Sequence, residues 1–396
     1  VTERPSGPLA LDTRLVHVHP PATEIPSQPV STPLVLSASF AFDDLDDLEA
    51  VTSGRQAGHA YTRISNPTTA TLEAAIADAE GTAGAVAFAS GMAAIHAAIG
   101  AVVRPGDHVV APRALYGGTY AILTHHFRAL GVETTFVDNR ALEAWATAIR
   151  PNTRLVWTES ITNPTLDVLD IPALARLAHE HGAKLAVDAT FATPVLQRPA
   201  ALGADLVVHS ATKYLGGHGD LVAGLVAASG ELLSAVRRLA IVAGGNAEPF
   251  TSWLVLRGLK TLGLRMARHT RSALAVAAAL DGHPRVERVY YPGLPSHPDH
   301  GTRLLDVGAG GVVSLEPRGG PEAARRFVDA LTLFLRAGSL GDAHSLAVLP
   351  ALASHRPLPP DVRRAAGISD GLVRLSVGLE DPADLVRDLD RALSAA

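Results

Sequence analysis

The chain reads as an α/β protein, a mostly parallel sheet with flanking helices plus a smaller α+β C-terminal domain. Three observations lead there. Between about residues 81 and 228, seven short apolar runs (85–89, 108–111, 133–137, 155–158, 185–188, 206–209 and 222–228) alternate with helix-period segments, the rhythm of strands joined by crossover helices. Around Ala243-Gly244-Gly245-Asn246 that rhythm stops, and a long helical stretch opens at Thr251. Beyond it helices mix with a few strands, 312–315 and 373–377 among them. The expected division is an N-terminal arm over 1–60, an α/β domain over 61–250 and an α+β domain over 251–396.

In chain order, the first sixty residues form an extended arm. Pro20, Pro21, Pro26, Pro29 and Pro33 exclude long helices there, and Phe40 and Phe42 offer anchors for docking. The acidic run from Asp43 to Glu49 starts a solvated helix, with carboxylates favoured by the N-terminal dipole. Asn66-Pro67 closes a polar loop that begins at Tyr61 and precedes a helix over 68–80. Ser90-Gly91-Met92 then opens a helix over 93–101 whose bare N–H groups suit a phosphate. In parallel sheets ligand chemistry collects at strand C-termini, where Ser90, Glu159, Asp188 and Ser210 all fall.

Composition narrows the function. The 396 residues are 47% hydrophobic and 18% charged, ample for a large packed core. A net charge of −5 without a basic block argues against nucleic acid or an anionic membrane as partner. Cysteine is absent, which removes disulfides, thiolate metal sites and a thiol nucleophile. The N-terminal residues lack a secretion-signal pattern and no apolar run reaches the roughly 18 residues of a membrane span, so the cytoplasm is the expected compartment. His179-Glu180-His181 is no metal motif, since a spacing of two on a helix turns the imidazoles apart. No metal site is expected. Neither a Walker A loop nor a G-x-G-x-x-G fingerprint is present.

The chemistry centres on Ser210-Ala211-Thr212-Lys213-Tyr214-Leu215-Gly216-Gly217-His218-Gly219-Asp220. A lysine delivered by a strand end, with hydroxyls at −1 and −3, suits an amine that forms a Schiff base beside a phosphate. One strand earlier, Asp188 ends an apolar run. In pyridoxal-phosphate (PLP) enzymes such an aspartate pairs with the pyridinium nitrogen.

Several ordered motifs then converge: Tyr61-Thr-Arg63-Ile-Ser-Asn-Pro67, Ser90-Gly91-Met92, Leu115-Tyr116-Gly117-Gly118-Thr119, Glu159-Ser-Ile-Thr-Asn163-Pro164, Val187-Asp188, Ser210-Ala-Thr212-Lys213, 256–262, Ser339-Leu-Gly341 and Arg374-Leu-Ser-Val-Gly378. From about Thr13 to its end the chain resembles the γ-acting PLP-dependent Cys/Met-metabolism enzymes. The resemblance implies the aspartate-aminotransferase-like fold (fold type I) and a homotetramer built as a dimer of dimers. It implies Lys213 as cofactor anchor and base, Asp188 on the ring nitrogen, and Tyr116 stacked on the ring as acid for the leaving group. Gly91, Met92, Ser210 and Thr212 would hold the phosphate together with Tyr61 and Arg63 of the neighbouring subunit. Asn163 would contact the ring oxygen and substrate. Arg374 and Ser339 would bind the amino-acid substrate's carboxylate, with Gly118 and Gly338 lining the leaving-group side.

Family membership leaves lyase and synthase open. Gly-His-Gly-Asp220 and Ser339-Leu-Gly-Asp-Ala343 look like methionine γ-lyases, while Leu-Tyr-Gly-Gly-Thr-Tyr120 and Asp170-Ile-Pro-Ala-Leu174 look like O-acylhomoserine sulfhydrylases. Gly118 stands where methionine lyases carry cysteine, Gly338 where cystathionine lyases carry glutamate, and Ala189 where asparagine is usual. The expected activity is γ-elimination giving a 2-oxo acid and ammonia. γ-Replacement and loss of an atypical substituent such as halide are the alternatives, and a non-catalytic PLP-binding scaffold is the rival from another class.

Overall fold

The computed structural model describes residues 9–18, 29–301, 305 and 308–395. Pro20, Pro21 and Pro26 of the expected arm lie outside them. Seven strands, β1 (Gly84–Phe88), β2 (His108–Pro112), β3 (Glu133–Val137), β4 (Thr153–Glu159), β5 (Lys184–Asp188), β6 (Leu206–Ser210) and β7 (Gly224–Ala228), build one sheet in the order β1-β7-β6-β5-β4-β2-β3. Only β7 runs antiparallel to its neighbours. Helices cover both faces, which is why the central strands read as unbroken apolar runs rather than as alternating ones.

A second sheet of five strands, β8 (Val286–Tyr290), β9 (Val312–Pro317), β10 (Leu335–Arg336), β11 (Leu346–Val348) and β12 (Val373–Ser376), has the order β10-β11-β12-β9-β8 and is antiparallel except for β10 with β11. Sequence reading finds β9 and β12 here and misses the other three. β8 carries charged residues on its exposed positions, and β10 and β11 are too short to show a period. Helix Leu262–Leu280 joins the two halves: Leu262 and Met266 pack into the core of the large sheet, Ala273 and Val276 into that of the small one.

Local signals account for the helix boundaries. Asn66 caps Pro67–Glu80 through the Thr68 N–H, Ser90 caps Gly91–Val102 through the Ala93 N–H, and Asp44 caps Leu45–Thr52 through the Asp47 N–H. Two short helices, Leu11–Val16 and Leu45–Thr52, interrupt the arm. Among the described residues no helix is long and apolar enough to cross a membrane.

One buried histidine of the large sheet sets a pH dependence. His108 on β2 is fully buried, its ring nitrogens 2.8 and 2.9 Å from the hydroxyls of Thr153 and Thr135. Either hydroxyl can donate or accept, so these bonds satisfy the neutral ring without a charged partner. Burial, with Arg150 nearby, pulls its pKa down from 6.5 to about 4. Between those values the unfolded chain binds a proton that the folded chain refuses, so His108 costs stability as pH falls. His108→Asn is therefore expected to flatten the loss of stability on acidification by up to about 1.4 kcal/mol per pH unit. Denaturant unfolding of both proteins from pH 7.5 to 4.5 checks this; parallel curves would refute it.

Candidate active site

The C-terminal ends of the parallel strands and the second sheet border a cavity of about 380 Å³. β4, β5 and β6 bring Glu159, Asp188 and Ser210 to it, and the turn after β1 brings Ser90, Gly91 and Met92. The loop after β2 adds Tyr116, and Lys213 follows directly on β6. From the other side come Arg374 on β12 and the turn with Gly338 and Ser339.

Lys213 Nζ donates to Ser339 Oγ at 2.9 Å. Burial, with the Arg374 charge added, lowers its pKa to about 8, so near neutrality a useful share is the free, nucleophilic amine. Arg374 is buried and donates to Asn163 Oδ1 at 2.9 Å and to the Ser339 carbonyl at 3.0 Å. Its Nε has no partner, and no carboxylate pairs with it among the described residues. Burial lowers its pKa to about 10. A buried guanidinium of this kind calls for an anionic ligand.

The two acids form a pair. Glu159 and Asp188 stand in register on adjacent strands, both buried. Glu159 accepts the Tyr116 N–H at 2.6 Å and the Asn163 N–H at 2.9 Å, so one carboxylate holds both backbones in place. Burial, then the proximity of Asp188, pushes its pKa up. Asp188 accepts from the Thr190 N–H at 3.0 Å, and burial raises its pKa as well. Asp188 enters no ion pair among the described residues. A cationic ligand group beside it would lower the cost of the charge.

Glycine is required where backbones meet. A Cβ at Gly91 would lie 2.8 Å from Ser210 Oγ, so bare backbone is what lets the Ser90 turn approach β6. At Gly117 it would lie 1.9 Å from the Ser354 carbonyl, and that contact sets the loop carrying Tyr116. Gly118 does not line the cavity; a side chain there would press on the Tyr116 ring and Met92 Sδ. Around Gly338 the space is open. Tyr116 keeps its phenolic proton well past neutrality, because burial and then the Asp188 charge raise its pKa.

Five further residues singled out from sequence stand outside this cavity. Thr212 Oγ1 accepts the Ala223 N–H at 3.0 Å and donates to the Ala223 carbonyl at 3.2 Å, which ties the lysine turn to the entry of β7. Arg63 donates to the Ile241 carbonyl at 2.7 Å and lies 5.5 Å from the centre of the Tyr61 ring, and Tyr61 is 45% exposed. His179 pairs with Asp205 and His181 with the Leu177 carbonyl. Sequence reading placed Glu159 at a strand end without a role. Its signal was the register with Asp188, which needs the pairing of β4 with β5.

These residues fit PLP. Bare N–H groups and Ser210 stand at a helix N-terminus for a phosphate, a lysine amine lies beside them, and a carboxylate without a cation faces the same space. The sequence profile described as "Cys/Met metabolism PLP-dependent enzyme" matches residues 12–394. The chain belongs to that family. It is 46% identical over 367 residues to the L-methionine gamma-lyase of Pseudomonas putida, covering 92% of each chain. It is 44% identical over 363 residues to the O-succinylhomoserine sulfhydrylase of Pseudomonas aeruginosa, covering 91% of this chain and 90% of that one. The crystal structure of cystathionine gamma synthase from Xanthomonas oryzae pv. oryzae superposes with a TM-score of 0.92 at 39% identity, covering 98% of this chain and 99% of that chain. The fold is thus fold type I, and the chain is a PLP-dependent enzyme of the γ-lyase and γ-synthase family.

Proposed function

We propose that the protein eliminates a small, uncharged γ-substituent from an amino acid, as a carbon–sulfur lyase of the methionine γ-lyase kind. The observation that carries this reading is the cavity's wall. Apart from Lys213, Arg374, Glu159 and Asp188, which would serve the cofactor and the substrate's carboxylate or hold backbone, no ionisable group but Tyr116 lines the space among the described residues, and Met92, Ile95, Phe191, Val222 and Leu340 make it apolar. An amino acid's carboxylate would meet Arg374, held at the right angle by Asn163 and Ser339. Asp188 would face the cofactor's ring nitrogen; Gly91, Met92 and Ser210 would hold its phosphate, with Thr212 fixing their turn. Bound PLP supplies the electron sink that acidifies Cα and Cβ and lets the γ-group leave. Lys213 would take the Cα proton and move protons between Cβ and the product, while Tyr116, still protonated, would give its proton to the leaving group. Water then completes the release of 2-oxo acid and ammonia. γ-Replacement is the second reading, supported by the likeness to a sulfhydrylase and to a synthase fold. The functional unit is a homotetramer, a dimer of dimers with Tyr61 and Arg63 serving the neighbour's site, located in the cytoplasm. The arm ends near 60 and the α/β domain near 250.

Gly338 tests the specificity. A distal ammonium, such as cystathionine carries, needs a carboxylate partner in a desolvated pocket. The open space around Gly338 can take one. Gly338→Glu is expected to raise kcat/KM for cystathionine relative to methionine by about 10- to 150-fold, the worth of one charge-assisted hydrogen bond of about 1.5–3 kcal/mol. Both proteins are assayed on methionine, homocysteine, O-acetylhomoserine, cystathionine and a γ-halogenated amino acid, with and without a thiol. If cystathionine leads the panel for the unmodified protein, the reading is wrong.

A further inference from the structure

Outside the cavity, His96 on helix Gly91–Val102 and His126 on the π-helical segment Ile122–Phe127 bring their Nε2 atoms to 3.1 Å across 30 residues of sequence. The ring centres are 5.0 Å apart. Phe127, fully packed, holds both rings: stacked on His96 at 5.5 Å and edge-on to His126 at 5.3 Å. We propose that His96 and His126 chelate a divalent late transition metal ion (Zn²⁺, Ni²⁺ or Cu²⁺), with water completing its coordination.

The spacing of the two rings fits an ion held between them. Two nitrogens about 2.0–2.1 Å from one ion, at angles between square and tetrahedral, lie about 3.0–3.4 Å apart. Rings converging on such an ion have centres about 4.8 Å apart, whereas a linear N–H···N bond of this length spreads them to about 5.4 Å. The observed 5.0 Å lies nearer the first. Imidazole suits these ions, and a chain without cysteine has no thiolate to outcompete the pair. π-Helical turns are uncommon and recur at functional sites. Among the described residues no group of three or more metal-ligating side chains occurs, so this is a two-ligand site, and a sequence separation of 30 hides it from spacing rules.

The site has a consequence for the cavity. One helix starts at Gly91 and Met92, and the other follows directly on Tyr116, so an ion bridging them clamps the phosphate turn to the tyrosine loop. The test uses untagged holoenzyme titrated with Cu²⁺ and read by calorimetry and electron paramagnetic resonance. One ion per chain with coupling to two imidazole nitrogens is expected. His96→Ala or His126→Ala should weaken binding at least about tenfold, and His125→Ala should leave it unchanged. The double variant His96→Gln, His126→Gln keeps hydrogen-bonding capacity but cannot chelate, and circular dichroism verifies its fold. Equal Cu²⁺ affinity in that variant, or no binding by the unmodified enzyme, overturns the proposal.

Discussion

Lys213→Ala is expected to cut 2-oxo acid formation by about 10⁴-fold or more, because one residue supplies both the covalent anchor for the cofactor and the base at the reacting carbons. The structure favours that double use. The amine sits at the end of β6 on a rigid turn, hydrogen-bonded to Ser339, and burial beside Arg374 lowers its pKa to about 8. Removing it also removes a partly buried positive charge next to another, so the fold should not suffer. The measurements are single-turnover 2-oxo acid release, the visible absorption of lysine-linked cofactor, and far-ultraviolet circular dichroism. Loss of the first two with an unchanged third is expected. Normal 2-oxo acid production by the variant would remove Lys213 from its role.

The second large effect is a recovery rather than a loss. Arg63 lies outside the cavity of its own chain, and its guanidinium engages backbone and the Tyr61 ring. If Arg63 serves a neighbour's phosphate, Arg63→Ala and Lys213→Ala damage different chains of the same site. Mixed after subunit exchange, half the dimers are hybrids and one of their two sites carries neither lesion, so about a quarter of full activity should return from two inactive proteins. Native mass spectrometry verifies the exchange. No recovery in verified hybrids would mean that each chain completes its own site.

Much of this was legible from residue order alone. The seven apolar runs of the large sheet stand at the observed strands, shifted by a residue or two at their ends, because the central strands are covered on both faces and carry few polar positions to blur the pattern. Ser90-Gly91-Met92, Asn66-Pro67 and the acidic run from Asp43 marked helix starts, and the structure adds the local capping bonds of Ser90, Asn66 and Asp44. Lys213, Asp188 and Ser210 could be picked out as strand-end residues in a parallel sheet. The small sheet was less visible, since its edge strands are short or half-exposed and their pairing is distant in sequence.

By itself, then, the sequence determined the fold class, the cofactor chemistry and the residues that end each central strand, all of which depend on local periodicity or short motifs. Only the tertiary structure decided which of them face one another. The register of β4 with β5 makes Glu159 and Asp188 a buried acid pair, and the approach of the second sheet places Arg374 and Ser339 over Lys213. It also turned the Thr212 hydroxyl onto Ala223 and brought His96 to His126. Such contacts arise from the packing of segments far apart in the chain, where burial and charge are set by neighbours that no local pattern names.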